Sequence, residues 1–173
     1  IDDNKAIYHD GGKKIPDNPV IKMPDFSQLI KEQGIYISSQ EDFDNKVKGK
    51  TINGPIYVDG NLTINGRVKG NGIIYANGTI DFVGDDILQE SSDSIAFYAQ
   101  EGDITFNGGA GTIIGILYAP NGTIRINGAP GSTIYGRVVA KEVDFNGAKS
   151  TITASVKDLD ALNTLSGKPK LIE

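Results

Sequence analysis

The sequence contains no cysteine, and this absence removes three kinds of site at once. Without a thiol, the 173-residue chain forms no disulfide, no thiolate metal site and no cysteine nucleophile. Its single histidine, His9, has no second imidazole with which to build a triad or a metal site. We therefore interpret His9 as a solvated residue, and we predict no cofactor and no catalytic residue.

Two further absences concern membranes and nucleic acids. No run of the sequence approaches the roughly 20 apolar residues of a membrane helix, and no signal peptide is visible. The formal net charge is −5 and no Lys/Arg cluster interrupts it, which argues against a nucleic-acid or anionic-membrane partner. Because the chain begins at Ile1 without a methionine, we expect a mature or excised fragment.

The sequence is rich in glycine-containing turns that recur. The glycines that close successive turn motifs lie mostly about 20 residues apart, a period typical of solenoids. They are Gly54, Gly66, Gly84, Gly108, Gly128 and Gly147. We therefore predict an all-β fold, a right-handed, three-sided parallel β-helix of about five to six rungs, or about 25 Å long, with short capping helices.

Alternation in the strand before each turn divides core from surface, since side chains alternate across a strand. The apolar pairs predicted to point inward are Leu62/Ile64, Ile80/Phe82, Ile104/Phe106, Ile124/Ile126 and Val143/Phe145. Between them lies a predicted outward polar column of Thr63, Asp81, Thr105, Arg125 and Asp144. We expect Arg125 to form an ion pair with Asp144 on the next rung.

The other strand of each rung predicts an apolar outer face. The residues predicted to form its outward column are Tyr57, Tyr75, Tyr98, Tyr118 and Val139, with neighbours Pro55, Ile73, Ala96, Ile116 and Arg137. An exposed apolar face is usually covered or binds a ligand. A terminal helix would cover it; otherwise tyrosine rings along a rigid face suit stacking against sugars, so the four tyrosines are our candidate ligand-binding residues.

The predicted domain organisation has four parts. Residues 1–22 form a flexible arm, 23–50 an N-terminal helix and cap, 51–156 the solenoid, and 157–173 a C-terminal cap helix and tail. The first helix is predicted from the stripe of Phe26, Leu29 and Ile30, between Pro24 and Gly34. The stripe that predicts the second helix is Val156, Leu159, Leu162 and Leu165.

Two further sets of residues invite a structural or a metal-binding interpretation. Five asparagines recur at one predicted corner and are interpreted as a stacked amide ladder: Asn53, Asn65, Asn107, Asn127 and Asn146. The acidic residues of the longest rung are Asp85, Asp86, Glu90 and Asp93. They could supply oxygen ligands for calcium, but no calcium-binding motif is present, so we favour a solvated loop.

Four segments carry a resemblance to a known group of proteins. They are "MPDF" (23–26), "GPIYVDGNLTING" (54–66), "GILYAPNGTIRING" (115–128) and "GRVVAKEVDFNGA" (136–148). Over roughly residues 20–156 the chain resembles the solenoid domains of bacterial exported proteins associated with type IV pili (PilX-type) and, more distantly, the tāpirin surface adhesins. Such proteins have a hydrophobic N-terminal helix before the solenoid; because residues 1–173 include no such helix, we expect an excised domain.

The resemblance implies an extracellular location on the bacterial cell surface and a non-enzymatic structural or adhesive role. The partners it implies are pilus or other cell-surface components, and polysaccharide is a possible ligand of the tyrosine column. The alternative is a polysaccharide-active lyase or hydrolase, which would need two carboxylates within about 5 to 10 Å. Asp81 and Asp144 are predicted to lie three rungs apart, about 14 Å, which is too far.

Overall fold

The computed structural model describes residues 8–9, 13–14, 25–84, 89–108, 111–128, 132–146, 151–154 and 170–172. Its two helices are α1 (Ser27–Gln33) and α2 (Gln40–Lys46). The strands of the first half are β1 (Tyr8–His9), β2 (Lys13–Lys14), β3 (Ile35–Ile37), β4 (Thr51–Val58), β5 (Leu62–Asn65), β6 (Lys69–Ala76) and β7 (Ile80–Val83). Those that follow are β8 (Ser94–Ala99), β9 (Ile104–Gly108), β10 (Thr112–Gly128), β11 (Thr133–Phe145), β12 (Thr151–Thr153) and β13 (Lys170–Ile172).

The strands wind into a parallel β-solenoid of about five turns, which confirms the predicted fold. Parallel pairing stacks equivalent residues of successive turns into three stacks. The first contains residues 51–53, 69–71, 112–114, 133–135 and 151–153. The second contains 35–37, 55–58, 73–76, 95–99, 116–119 and 137–140. The third contains 62–65, 80–83, 104–108, 123–128 and 142–145.

The core lies inside the coil, where the predicted inward side chains of the first four turns pack together. Phe82 is fully buried, and its ring stacks on Phe106 at 4.4 Å between centroids. The prediction that these side chains are buried is wrong for the last turn. Val143 and Phe145 pair in register with Ile124 and Ile126 but are 39% and 45% exposed. A side chain on the final turn has a neighbour on only one side.

Two turns require glycine at the corner between the first and second stacks, whereas the third turn has Ile95 there. Gly115 and Gly136 are register partners with φ of +141° and +153°, a region that L side chains rarely adopt. A Cβ at Gly136 would overlap the carbonyl oxygen of Gly115. Gly54 belongs to this corner, paired with Gly72, and not to the corner of Gly108 and Gly128. Its interpretation as one of the six turn-closing glycines is therefore wrong.

Helix α2 closes the first end of the third stack. The hydroxyl of Ser39 accepts a hydrogen bond from Asp42 N, which caps the helix, and Phe43 is buried in the core. The side chain of Gln40 reaches β5, where it accepts from Thr63 N at 2.8 Å and donates to Thr63 O at 3.0 Å. One amide group thus makes the two hydrogen bonds that a preceding strand would make.

Among the described residues of the third turn, only Ser94 pairs as a strand residue in the first stack, and two side chains bond to the backbone beside it. Gln89 Oε1 accepts from Ile114 N, and Gln89 Nε2 donates to Val68 O. Asp93 Oδ1 accepts from Gly70 N at 2.7 Å. Both side chains are buried; Gln89 links β10 to the residue before β6, and Asp93 satisfies the N–H of Gly70 in β6.

The chain outside the solenoid departs from the predicted organisation. Strand β3 lies within the predicted cap region 23–50 yet pairs with β4, so the sheet begins at Ile35. Strands β1 and β2 form an antiparallel pair within the predicted arm. Strand β13 pairs antiparallel with β4 in the first turn, whereas a C-terminal cap was expected at the opposite end. The stripe from Val156 to Leu165 lies outside the described residues.

Candidate functional site

The tyrosine column exists as predicted and is one residue longer at its first end. Register pairing aligns Tyr36, Tyr57, Tyr75, Tyr98, Tyr118 and Val139 on the outer side of the second stack. The parallel neighbouring column contains Pro55, Ile73, Ala96, Ile116 and Arg137. We call the outer surface formed by these two columns the tyrosine face.

Helix α1 covers the tyrosine face over three turns. Its Ile30 is 1% exposed and packs against Tyr57, Tyr75 and Tyr98, which are 6%, 1% and 3% exposed. The helix lies over the residues that its stripe predicted, but Phe26 and Leu29 remain about 40% exposed. Ile30 is therefore the one fully buried side chain that α1 contributes to the cover of the tyrosine face.

The rings of the column touch along its whole length. Tyr57 stacks on Tyr36 at 5.9 Å and on Tyr75 at 4.8 Å between centroids. Tyr75 and Tyr98 meet edge to face at 4.9 Å, as do Tyr98 and Tyr118 at 4.8 Å. Lys31 of α1 places its Nζ 5.2 Å from the centre of the Tyr57 ring, a cation–π contact.

Burial changes the acidity of these tyrosines. Burial beneath α1 raises the pKa of Tyr75 and of Tyr98 well above the usual range, and nearby Tyr57 and Asp25 respectively add to the effect. The Tyr98 hydroxyl lies within hydrogen-bond distance of Gln100 Oε1 and, at 3.4 Å, of Asp25 Oδ1. Burial also raises the pKa of Tyr118. The hydroxyls thus stay protonated and link the column to the start of α1.

A groove of about 270 Å³ continues the tyrosine face where α1 begins. Its lining includes Phe26, Tyr98, Ile116, Tyr118, Arg137 and Val139. Tyr118 is half-buried there. The groove is almost entirely apolar, and the aromatic ring of Tyr118 is part of its wall.

The structure separates the four candidate ligand-binding tyrosines into two groups. Tyr57, Tyr75 and Tyr98 lie under α1, so the predicted cover is present over these three. Tyr118 lines the groove and is the one of the four whose ring is partly accessible. Sugar stacking stays a prediction, and in this structure it applies to Tyr118.

The polar column has the predicted register but a different ion pair. Asp81, Thr105, Arg125 and Asp144 are successive partners, which leaves the two carboxylates three strands apart. Arg125 forms its ion pair with Asp103, which precedes the equivalent strand, so the expected bridge to Asp144 is wrong. Desolvation opposes ionisation of Asp103, but its hydrogen bonds from Thr123 N and Arg125 outweigh that cost and lower its pKa.

The asparagine ladder is confirmed for three of the five predicted members. Asn127 Nδ2 donates to Asn107 Oδ1 at 3.1 Å, and Asn146 Nδ2 donates to Asn127 Oδ1 at 3.1 Å. Asn65 is separated from this ladder because Val83 occupies the intervening position. Asn53 lies in the first stack, paired with Asn71, so its assignment to the same corner is wrong.

Two of the four acidic residues of the long third turn, Glu90 and Asp93, bind a cation of the protein itself. Arg67 forms ion pairs with Glu90 at 2.7 Å and Asp93 at 3.3 Å. Asp93 is 4% exposed, and its carboxylate also accepts from the backbone N–H groups of Gly70 and Glu90. A solvated loop was therefore the wrong interpretation of Asp93, while Asp85 and Asp86 lie outside the described residues. Among the residues that the structure does describe, no cluster of three or more acidic or histidine side chains could hold a metal ion.

Sequence reasoning missed several residues that matter structurally. Tyr36 had a visible signal, because Ile35-Tyr36-Ile37 repeats the pattern of Ile56-Tyr57-Val58. The structural roles of Gln40, Gln89 and Asp93 had none, since the backbone groups that they bond to in other turns lie 21 to 25 residues away in the chain.

Comparison with known proteins identifies a family. No curated protein and no solved structure matches the sequence. In the part of the chain that the structure describes, no helix is long and apolar enough to cross a membrane. A family model described as a domain of unknown function, DUF7305, matches residues 5–159, so the chain belongs to the DUF7305 family.

Proposed function

We propose that this domain is a non-enzymatic structural and adhesive module of a pilus-associated protein on the bacterial cell surface. The observation that carries the proposal is the tyrosine face: an apolar, aromatic surface on a stiff parallel stack, covered by α1 over three turns and open at the groove. The extracellular location and the pilus association rest on the sequence resemblance.

The construction of the solenoid suits a rigid spacer. Parallel backbone pairing joins successive turns along the solenoid, and side-chain contacts run along it in the tyrosine column and in the amide ladder of Asn107, Asn127 and Asn146. In solenoids each turn contacts only its neighbours, so stiffness arises from repetition. A module of this kind holds a binding surface at a fixed distance and orientation.

The groove is the accessible binding surface of the tyrosine face. Its volume is enough for a single ring-sized group, and the Tyr118 ring offers a face for stacking. The other lining residues are mostly apolar, which suits the apolar face of a sugar ring. We infer that one residue of a polysaccharide stacks on Tyr118, with the covered tyrosines acting as the rigid support beneath it.

Affinity electrophoresis through gels containing glucan, xylan or chitin fragments tests this function. We expect at least one polymer to retard the domain, and Tyr118→Ala to abolish the retardation. Tyr135→Ala is the matched control, because Tyr135 is 42% exposed in the first stack and is not among the groove-lining residues. Equal retardation of both variants, or none of the wild-type protein, would reject the polysaccharide site.

A further inference from the structure

The two ends of the solenoid differ in the groups that pair with their strand edges. At the first end, Gln40 hydrogen-bonds to Thr63, while β3 and β13 pair with the edge of β4. At the last end, the described partners of β11 are β10 along its length and β12 over Thr133–Tyr135 alone. The exposed residues Val143 and Phe145 lie on the part of this edge that no described strand pairs with.

The edge from Glu142 to Asn146 carries a defined chemical pattern. Val143 and Phe145 continue inward apolar columns, whereas Glu142 and Asp144 are acidic. Asp144 follows Arg125 in the polar column, so a cation is the complementary group at the next position. The amide ladder also has a direction, because each Nδ2 donates to Oδ1 of the preceding turn, with Asn146 as its last described member.

We propose that this edge of β11 accepts an extended strand from a partner protein, one whose residues alternate between apolar and basic and end in asparagine. The apolar residues would cover Val143 and Phe145, the basic residue would pair with Asp144, and the asparagine would donate to Asn146 Oδ1. Ile124-Arg125-Ile126-Asn127 of this chain already has that pattern and pairs with β11 on its other side. Strand addition of this kind takes affinity from backbone hydrogen bonds and specificity from alternate side chains.

A second copy of this chain fits the edge less well. Head-to-tail stacking would bring the edge against the first end, where Gln40 already occupies the hydrogen-bonding groups of Thr63. Edge-to-edge pairing would place Glu142 and Asp144 of one copy against the same acids of the other, and like charges on adjacent strands repel. The acidic edge thus selects against self-association and for a basic strand.

The probe is the peptide acetyl-GTIRING-amide, which copies residues 122–128, and its control is the same peptide with glutamate in place of arginine. In amide NMR titrations of the whole domain, we expect the arginine peptide to shift signals of Glu142–Asn146, with at least about tenfold weaker binding of the glutamate peptide. Asp144→Lys should make the domain prefer the glutamate peptide over the arginine peptide. Asp81→Lys, three strands away in the same column, is the control and should leave the preference for the arginine peptide unchanged. If Asp144→Lys does not fold, Glu142→Lys takes its place.

The inference fails if millimolar arginine peptide shifts no signal of the edge, or shifts signals of the groove instead. It also fails if both peptides bind equally, or if sedimentation shows that the wild-type domain dimerises through this edge. Because the edge lies in the third stack and the groove in the second, it extends the proposed function to a separate surface. If the peptide does not bind the edge, the proposed polysaccharide site at the groove is unaffected, and the reverse also holds.

Discussion

Gln40 and Thr63 are joined by two hydrogen bonds that run between a helix side chain and a strand backbone, at 2.8 and 3.0 Å. The pair ends the third stack without leaving an exposed strand edge, which would otherwise invite pairing with another chain. Helix α2 therefore acts as a cap through one amide group. Its packing onto the core through Phe43 fixes the amide in place.

Gln40→Ala should lower the free energy of unfolding by about 1 to 2 kcal/mol, because two hydrogen bonds to Thr63 are lost from a partly exposed edge. Gln28→Ala is the control, since Gln28 also sits on a helix and its described hydrogen bond is to Glu32, four residues on in the same helix. Urea denaturation measures both. A loss for Gln40→Ala no larger than that of the control would show that the cap contributes nothing through this amide.

Gly136→Ala should destabilise the domain by more than about 3 kcal/mol, because the new Cβ would overlap the Gly115 carbonyl at a position with positive φ. Gly60→Ala separates the effect of steric overlap from that of the positive φ. Gly60 has φ of +128° but open space around it, so its substitution carries the backbone strain alone, about 1 to 2 kcal/mol. Equal thermal unfolding midpoints for the two variants would contradict the packing argument.

Gln89→Leu should destabilise the domain by about 2 to 4 kcal/mol, since it removes the acceptor of the buried Ile114 N–H and leaves that group unpaired. Gln100→Leu is a suitable comparison, because Gln100 is only partly buried and sits at the neighbouring corner of the same turn. Chemical denaturation and hydrogen exchange at Ile114 provide the measurements. Unchanged exchange at Ile114 would mean that Gln89 does not bridge the missing strand.

Alkaline pH should unfold the domain through its buried tyrosines. Burial raises the folded-state pKa of Tyr75 and Tyr98 above the ordinary value of 10.0, so their stabilising effect is complete below that pH. It is then lost as pH rises through the folded-state pKa. Tyrosinate absorbance should therefore lag behind that of free tyrosine and increase together with unfolding.

Tyr75→Phe removes one of these ionisations and should make stability less dependent on pH above about 10. Tyr135→Phe is its control, because Tyr135 is 42% exposed. If both variants show the wild-type alkaline slope, burial beneath α1 does not control the pKa of Tyr75.

The sequence by itself determined the repeating part of the protein. Alternation of apolar and polar residues fixed which side chains point inward, and the recurrence of turns fixed the coil, so the tyrosine column and its register followed directly. These features depend on neighbours one or two positions away in the chain, and every turn repeats them. The stripe of α1 was visible for the same reason.

Only the tertiary structure decided how the irregular parts meet the repeat. Whether α1 covers Tyr57 or leaves it open depends on contacts across the fold, as does the choice of Asp103 over Asp144 as the partner of Arg125. The same holds for Gln40, Gln89 and Asp93, whose side chains replace missing strands at sites distant in sequence. Local patterns carry no information about such pairings, because a buried N–H or C=O can be satisfied by any suitable group that the fold brings within reach.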